Sequence, residues 1–237
     1  VQGIAKDGTP MPARDSSVWQ DIDLRTVAPT LPTNTYLNSE DIRSFAEFNG
    51  DLYIATRASI STIDRTKNPY VYTYSNQTRM YKLNKQSILS YISNMPNPTS
   101  AYGVCSMAEF GGYLYVAYNT TSSPASLYRT KDAITWELVS QNGLGRSYNL
   151  SIDDLESYMG RLYATTSSWS TNSNLSLEAY HGGIVYSSPD GITWTQVSTQ
   201  GITDLGNFSF QIEPYKGYIY LNTANGTGIN IIKGTVQ

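Results

Sequence analysis

Four stretches of the chain carry one pattern of apolar and polar positions: Ile42 to Ala55, Val104 to Ala117, Ile152 to Thr165 and Phe210 to Asn222. Each is an apolar run ending in Phe or Tyr, then a tight turn containing Gly50, Gly112, Gly160 or Gly217, then Leu-Tyr or Ile-Tyr opening a second run. Glycine at the second turn position supplies the positive φ that a two-residue hairpin needs, so the pattern predicts a β-hairpin used four times. A third strand follows in each unit, at Arg79–Leu83, Ser126–Thr130, Ile184–Ser188 and Ile229–Lys233. Two of these run directly into matching turns and fourth strands, Thr130 to Val139 and Ser188 to Val197.

Four antiparallel strands per repeat make a propeller blade. The expected fold is all-β: one domain over 1–237, a small β-propeller of four blades at about 42–93, 104–140, 152–198 and 208–237. Five blades, with a degenerate one inside 57–100, is the alternative. The segment Asp15-Ser-Ser-Val-Trp19-Gln-Asp-Ile-Asp-Leu24 repeats the Asp, three residues, Trp spacing of Asp132 to Trp136 and Asp190 to Trp194, and the last unit lacks this piece. Residues 15–24 are therefore expected to form the outer strand of the last blade and to close the ring, removing sheet edges that would otherwise pair with other chains.

Ser188-Pro-Asp190-Gly-Ile-Thr-Trp194, with the weaker copy Thr130-Lys-Asp132-Ala-Ile-Thr-Trp136, resembles the Asp-box, or BNR repeat, of the sialidase-like β-propeller superfamily. The resemblance implies that each Asp caps the turn between third and fourth strands and that each Trp packs between blades. A short carboxylate can accept N–H bonds within its own turn, and a large ring suits a seam. Asp15 with Trp19, Asp132 with Trp136 and Asp190 with Trp194 are read in this way as structural. In sialidases, six blades carry an arginine cluster and a Tyr-Glu pair; Arg43 is a poor match to the arginine position, so the resemblance extends to a non-enzymatic member.

Composition narrows the partners. Charged residues make up 15% of the chain and the net charge is -3, leaving no basic surface for nucleic acid. No apolar run is long enough to span a bilayer, so membrane insertion is not expected. A start at Val1 is compatible with removal of a leader, and an extracellular, cell-surface or virion location is expected. Cys105 stands alone within an apolar strand pattern, which suggests an inert buried thiol. His181 is the only histidine, so no His cluster can hold zinc or iron, and no cofactor or metal is expected. Glu47, Glu109, Glu156 and Glu213 lie in first strands, but their two registers relative to the turn glycines set them on opposite sheet faces, which argues against a carboxylate ring for calcium. Asn76, Asn119, Asn149, Asn174, Asn207 and Asn225 each open an Asn-x-Ser/Thr sequon and are candidate glycosylation sites.

The connections at about 58–78, 118–125 and 166–182, with the links 25–41 and 94–103, are the long ones, and they share one face of the disc. They carry Tyr70, Tyr72, Tyr74, Trp169 and Tyr180 among Asn and Ser, a mixture suited to stacking on sugar rings. The alternation of Tyr70, Tyr72 and Tyr74 equally fits one face of an extended hairpin. The expected function is non-catalytic binding or adhesion to a glycan or protein receptor through this face. A structural subunit of an extracellular filament, lattice or virion, assembling with copies of itself, is the alternative. A glycoside hydrolase is the second alternative, for which adjacent Asp153, Asp154 and Glu156 do not supply two carboxylates across a cleft.

Overall fold

The computed structural model describes residues 21–98, 100–167, 182–207, 209–225 and 228–235. These form fifteen strands in four antiparallel sheets that follow one another along the chain. Blade 1 holds β1 (Thr35–Phe48), β2 (Asp51–Asp64), β3 (Val71–Leu83) and β4 (Leu89–Ile92). Blade 2 holds β5 (Ala101–Phe110), β6 (Tyr113–Thr120), β7 (Ser126–Thr130) and β8 (Glu137–Ser140). Blade 3 holds β9 (Ser151–Tyr158), β10 (Arg161–Ser167), β11 (Ile184–Ser188) and β12 (Thr195–Gln196). Blade 4 holds β13 (Ser209–Tyr215), β14 (Tyr218–Asn225) and β15 (Gly228–Thr235). In every blade the strands lie in sequence order, as hairpins dictate. The hairpin turns have positive φ at both central residues, 52° and 77° at Asn49–Gly50 and 48° and 73° at Met159–Gly160, whose backbone twist matches that of the flanking strands.

The blades adjoin through their first strands: β1 packs beside β5, β5 beside β9, and β9 beside β13. The same joint recurs at each step. Ser44 Oγ accepts the Met107 N–H at 3.0 Å, Ser106 Oγ accepts that of Leu155 at 3.0 Å, and Asp154 Oδ2 accepts that of Ile212 at 2.9 Å. One acceptor per blade, six residues before the turn glycine, thus holds the next inner strand in register. Between these joints lie three apolar seams. Ala46, Phe48, Tyr53, Ala55 and Met80 of blade 1 meet Val104, Met107, Leu114 and Val116 of blade 2. Tyr115, Ala117 and Leu127 meet Leu155, Leu162, Ala164 and Tyr186. Tyr163 and Val185 meet Phe210, Ile212, Ile219 and Leu221.

Two expectations change, and a third falls largely outside the described residues. The segment 58–78, read as a long connection, is mostly strand: β2 and β3 stay paired from Leu52↔Leu83 to Asp64↔Val71, leaving 65–70 as the turn. The alternation of Tyr70, Tyr72 and Tyr74 fits this hairpin, while much of the remaining segment is polar and is held by backbone pairing. Likewise the link 25–41 ends at Thr35, where β1 begins. Finally, blade 4 has three strands among the described residues, and the expected outer strand over 15–24 is not seen. Asp21–Asp23 carry no strand pairing, Leu24–Thr26 form a 3-10 turn capped by Asp23, and Asp15 to Gln20 lie outside the described residues. No packing comparable to the other inner-strand joints links β13 to β1 among the described residues.

Candidate functional site

The long strands of blade 1 build a three-stranded ribbon that runs past β4, which pairs only with Met80 to Leu83. Across it, Tyr36, Ser61 and Tyr74 are direct neighbours, and Ile63 pairs with Tyr72. Side chains two apart on a strand share a face, so Tyr72, Tyr74 and Asn76 line up with Tyr36. These rings are open to solvent, at 43% for Tyr36, 52% for Tyr72 and 70% for Tyr74. Polar groups frame them: Arg65 Nη2 donates to Tyr36 Oη at 2.9 Å and Ser61 Oγ donates to Asn38 Oδ1 at 3.0 Å. Tyr70, also exposed, sits in the turn just before β3. The tyrosines are therefore presented, not packed, on a backbone held rigid by hydrogen bonds on both sides of β2. Tyr36 was missed in the sequence because it lies in a segment read as an inter-blade link.

The other candidates fall elsewhere. Trp169, Tyr180 and Asn174 lie outside the described residues, as do Asp15 and Trp19. Asp132 Oδ1 accepts the N–H groups of Ile134 and Thr135 at 2.8 and 2.7 Å, and Asp190 Oδ1 those of Ile192 and Thr193 at the same distances. Backbone donation holds both carboxyls below their ordinary range, Asp190 well below it. Trp136 packs against the seam of blades 1 and 2, and Trp194 against that of blades 2 and 3.

Among the sequons, Asn76 is exposed, whereas Asn119, Asn149 and Asn207 are buried and are corrected as glycosylation sites. Asn149 Nδ2 donates to the carbonyls of Gly143 at 2.7 Å, and Asn207 Nδ2 to that of Gly201 at 3.1 Å. Each asparagine closes the loop that leads into a first strand. The shared spacing Gly143 to Asn149 and Gly201 to Asn207 was the signal for this pair. Asn225 ends β14.

A second polar region lies along the inner strands. Arg43, Cys105 and Asp153 are each the extra residue of a bulge at one place in β1, β5 and β9, while β13 pairs with β14 without a break. Cys105 Sγ lies 3.4 Å from Ser151 Oγ, and burial, with Asp153 nearby, pushes its thiol up to about 11. Burial pushes the Asp153 carboxyl up to about 6, against the bond donated by Ser167 Oγ at 3.0 Å, and Oδ2 has no partner. On the open face of blade 4, a groove of about 730 Å³ is lined by Asp154, Gln211, Glu213, Tyr215, Tyr220 and Asn222. Burial and the charges of Asp154 and Glu213 also raise the Glu156 carboxyl. Glu109 instead accepts the Gly112 N–H at 2.9 Å within its own turn. Among the described residues no three His, Cys, Asp or Glu side chains converge as metal ligands, and no helix is long and apolar enough to cross a membrane.

No protein-family model matches the chain, and no curated relative does. Its fold does match solved β-propellers. A GH43_1 enzyme from Xanthomonas citri, complexed with xylose, superposes with a TM-score of 0.53 at 13% identity, over 89% of this chain and 74% of that one. A Trypanosoma rangeli sialidase bound to 2,3-difluorosialic acid gives 0.50 at 8% identity, over 83% and 45%, and the phage phi92 endosialidase gives 0.50 at 10%, over 83% and 36%. The chain thus spans less than half the length of those two sialidases, and at these identities the likeness is one of fold: a four-sheet β-propeller built like those of carbohydrate-active enzymes.

Proposed function

We propose that this chain is a non-catalytic carbohydrate-recognition module, working outside the cell or on a virion surface, that engages glycans through the tyrosine ribbon of blade 1. The observation that carries the reading is the open row of Tyr36, Tyr72 and Tyr74 on a rigid three-stranded support, rimmed by Asn38, Asn76 and Arg65. Flat rings take the C–H faces of a sugar, and amide and guanidinium groups at their edges bond its hydroxyls. The fold likeness to proteins solved with xylose or a sialic acid analogue adds a precedent for the scaffold, since function resides in the site and not in the fold.

On a glycan array, Tyr72→Ala and Tyr74→Ala are each expected to weaken binding about tenfold, the effect of losing ~1.4 kcal/mol of stacking. Their melting curves should stay within the small range of surface substitutions. No glycan bound by the parent chain, or binding untouched by both variants, would sink the proposal; regular polymers formed without any glycan would favour a structural subunit in its place. A glycoside hydrolase is the second reading, favoured by Asp154 and Glu213 in the lining of the blade 4 groove. Turnover of an aryl glycoside panel that disappears in Glu213→Gln would establish it.

A further inference from the structure

The face of blade 4 turned away from blade 3 repeats, position for position, the faces that the other blades bury in their seams. Two residues before the turn glycine stand Phe48, Phe110 and Tyr158, three after it Tyr53, Tyr115 and Tyr163, and five after it Ala55, Ala117 and Thr165. Strand pairing sets Met80, Leu127 and Val185 opposite the last of these. Each set packs in the seam with the following blade, Thr165 through a bond from Oγ1 to the Phe210 carbonyl at 2.7 Å. In blade 4 the same positions are Tyr215, Tyr220, Asn222 and Ile231. No joint like the other three covers them among the described residues, and Tyr215 is 53% exposed and Ile231 76%.

The side chains differ in kind as well as in exposure. Four residues before the turn glycine, Ala46 and Ala108 are followed by Glu156 and then Glu213. Five after it, Ala55 and Ala117 are followed by Thr165 and then Asn222. The joint acceptors Ser44, Ser106 and Asp154 are succeeded by Gln211, whose Oε1 accepts from Asn222 Nδ2 at 3.0 Å rather than from a following strand. Carboxylate and amide groups at these places are costly in a dry seam and suit a polar occupant.

Together these residues line the groove of about 730 Å³, a size within the usual span of small-molecule sites. Along the strands the order is Tyr215, then Tyr220 beside Glu213, then Asn222 beside Gln211. The rings of Tyr215 and Tyr220 lie 6.4 Å apart and tilted. The bond between the two amides leaves Gln211 Nε2 as a donor and Asn222 Oδ1 as an acceptor, the pair of functions that adjacent sugar hydroxyls take up. Asp154 is committed to the blade joint: Oδ2 accepts the Ile212 N–H, and Oδ1 accepts Ser106 Oγ and the Leu155 N–H. Glu213 adds a negative charge, and no Lys, Arg or His stands among the described lining residues.

We infer that this groove is a second binding site, taking short uncharged oligosaccharides with their rings on Tyr215 and Tyr220 and neighbouring hydroxyls on Gln211 and Asn222. Glu213 selects against carboxylated sugars by like charge. The site shares no residue with the tyrosine ribbon of blade 1 and does not depend on it.

The test uses the full chain carrying Tyr72→Ala and Tyr74→Ala, so that the ribbon contributes nothing. Calorimetric titration with cellotetraose, mannotetraose and xylotetraose is expected to show binding of at least one of them. Adding Tyr215→Ala should weaken that binding about tenfold, and adding Gln211→Ala with Asn222→Ala about tenfold as well, with melting temperatures held within the small range of surface substitutions. Trigalacturonate should bind about tenfold more weakly than the neutral sugar at pH 8, and Glu213→Gln should narrow that gap. Binding of none of the three sugars, affinity unchanged by both groove variants, or trigalacturonate bound as well as the neutral sugar would each overturn the assignment. So would a dimer that Tyr215→Ala dissociates, which gives the face to a second copy of the chain.

Discussion

Replacing Glu40 by Gln is expected to destabilise the chain by about 3–5 kcal/mol, read as a lower midpoint in urea unfolding. Glu40 reaches across the sheet from β1. Its Oε2 accepts from Arg79 Nη1 at 2.9 Å, and its Oε1 accepts from Tyr81 Oη at 2.9 Å and Thr56 Oγ1 at 2.6 Å. Arg79 is 2% exposed and Glu40 13% at the side chain. Two further guanidinium nitrogens, Nε and Nη2, have no partner, so the whole compensation of this buried charge rests on one carboxylate. Burial and the Glu40 carboxylate also push the Tyr81 hydroxyl well above the usual range, leaving it a donor at every pH of interest. Glutamine keeps the shape but leaves the guanidinium uncompensated. The paired change Glu40→Leu with Arg79→Met should recover much of the loss, because apolar groups of similar volume replace a buried ion pair at little cost. A double variant as unstable as Glu40→Gln would show that the cluster acts through Tyr81 and Thr56 instead.

Asp153→Asn is expected to do the opposite above neutral pH. The folded chain holds the Asp153 proton up to about 6, against an ordinary value of 3.8, because the carboxyl atoms lie among protein atoms with Asp154 adjacent. The folded state therefore binds that proton more tightly than the unfolded chain does. Its contribution to stability is full below 3.8 and is lost as pH rises through 6, a displacement equivalent to at most about 3 kcal/mol. The asparagine variant has no proton to lose and should gain up to that amount over the parent at pH 8, and nothing at pH 3.5. Parallel stability curves for the two proteins across this window would remove Asp153 from the account.

Local signals in the chain reached far in some places. The turn glycines and the flanking Tyr and Phe marked four hairpins whose pairing is now seen residue by residue, because a two-residue turn with positive φ leaves a strand one antiparallel partner. Tyr72 and Tyr74 were visible as an alternating pair, but whether such a pair faces solvent or core depends on what packs above it, which alternation does not encode. Tyr36 became part of the same face only because β1 extends back to Thr35 and sets it across Ser61 from Tyr74. The sequons misled at Asn149 and Asn207 for a related reason: the tripeptide specifies an acceptor, while burial under a loop carbonyl decides whether anything can reach it.

What the sequence determined by itself was what short-range backbone geometry carries: the all-β class, the four hairpins, their order and the number of sheets. Only the tertiary structure decided which residues are buried together, namely the Glu40 and Arg79 pair, the aligned bulges at Arg43, Cys105 and Asp153, and the cavity left between blades 3 and 4. Strand pairing is written in neighbours a few positions apart, whereas burial is set where one sheet's face meets the next, between residues that the chain separates by dozens of positions.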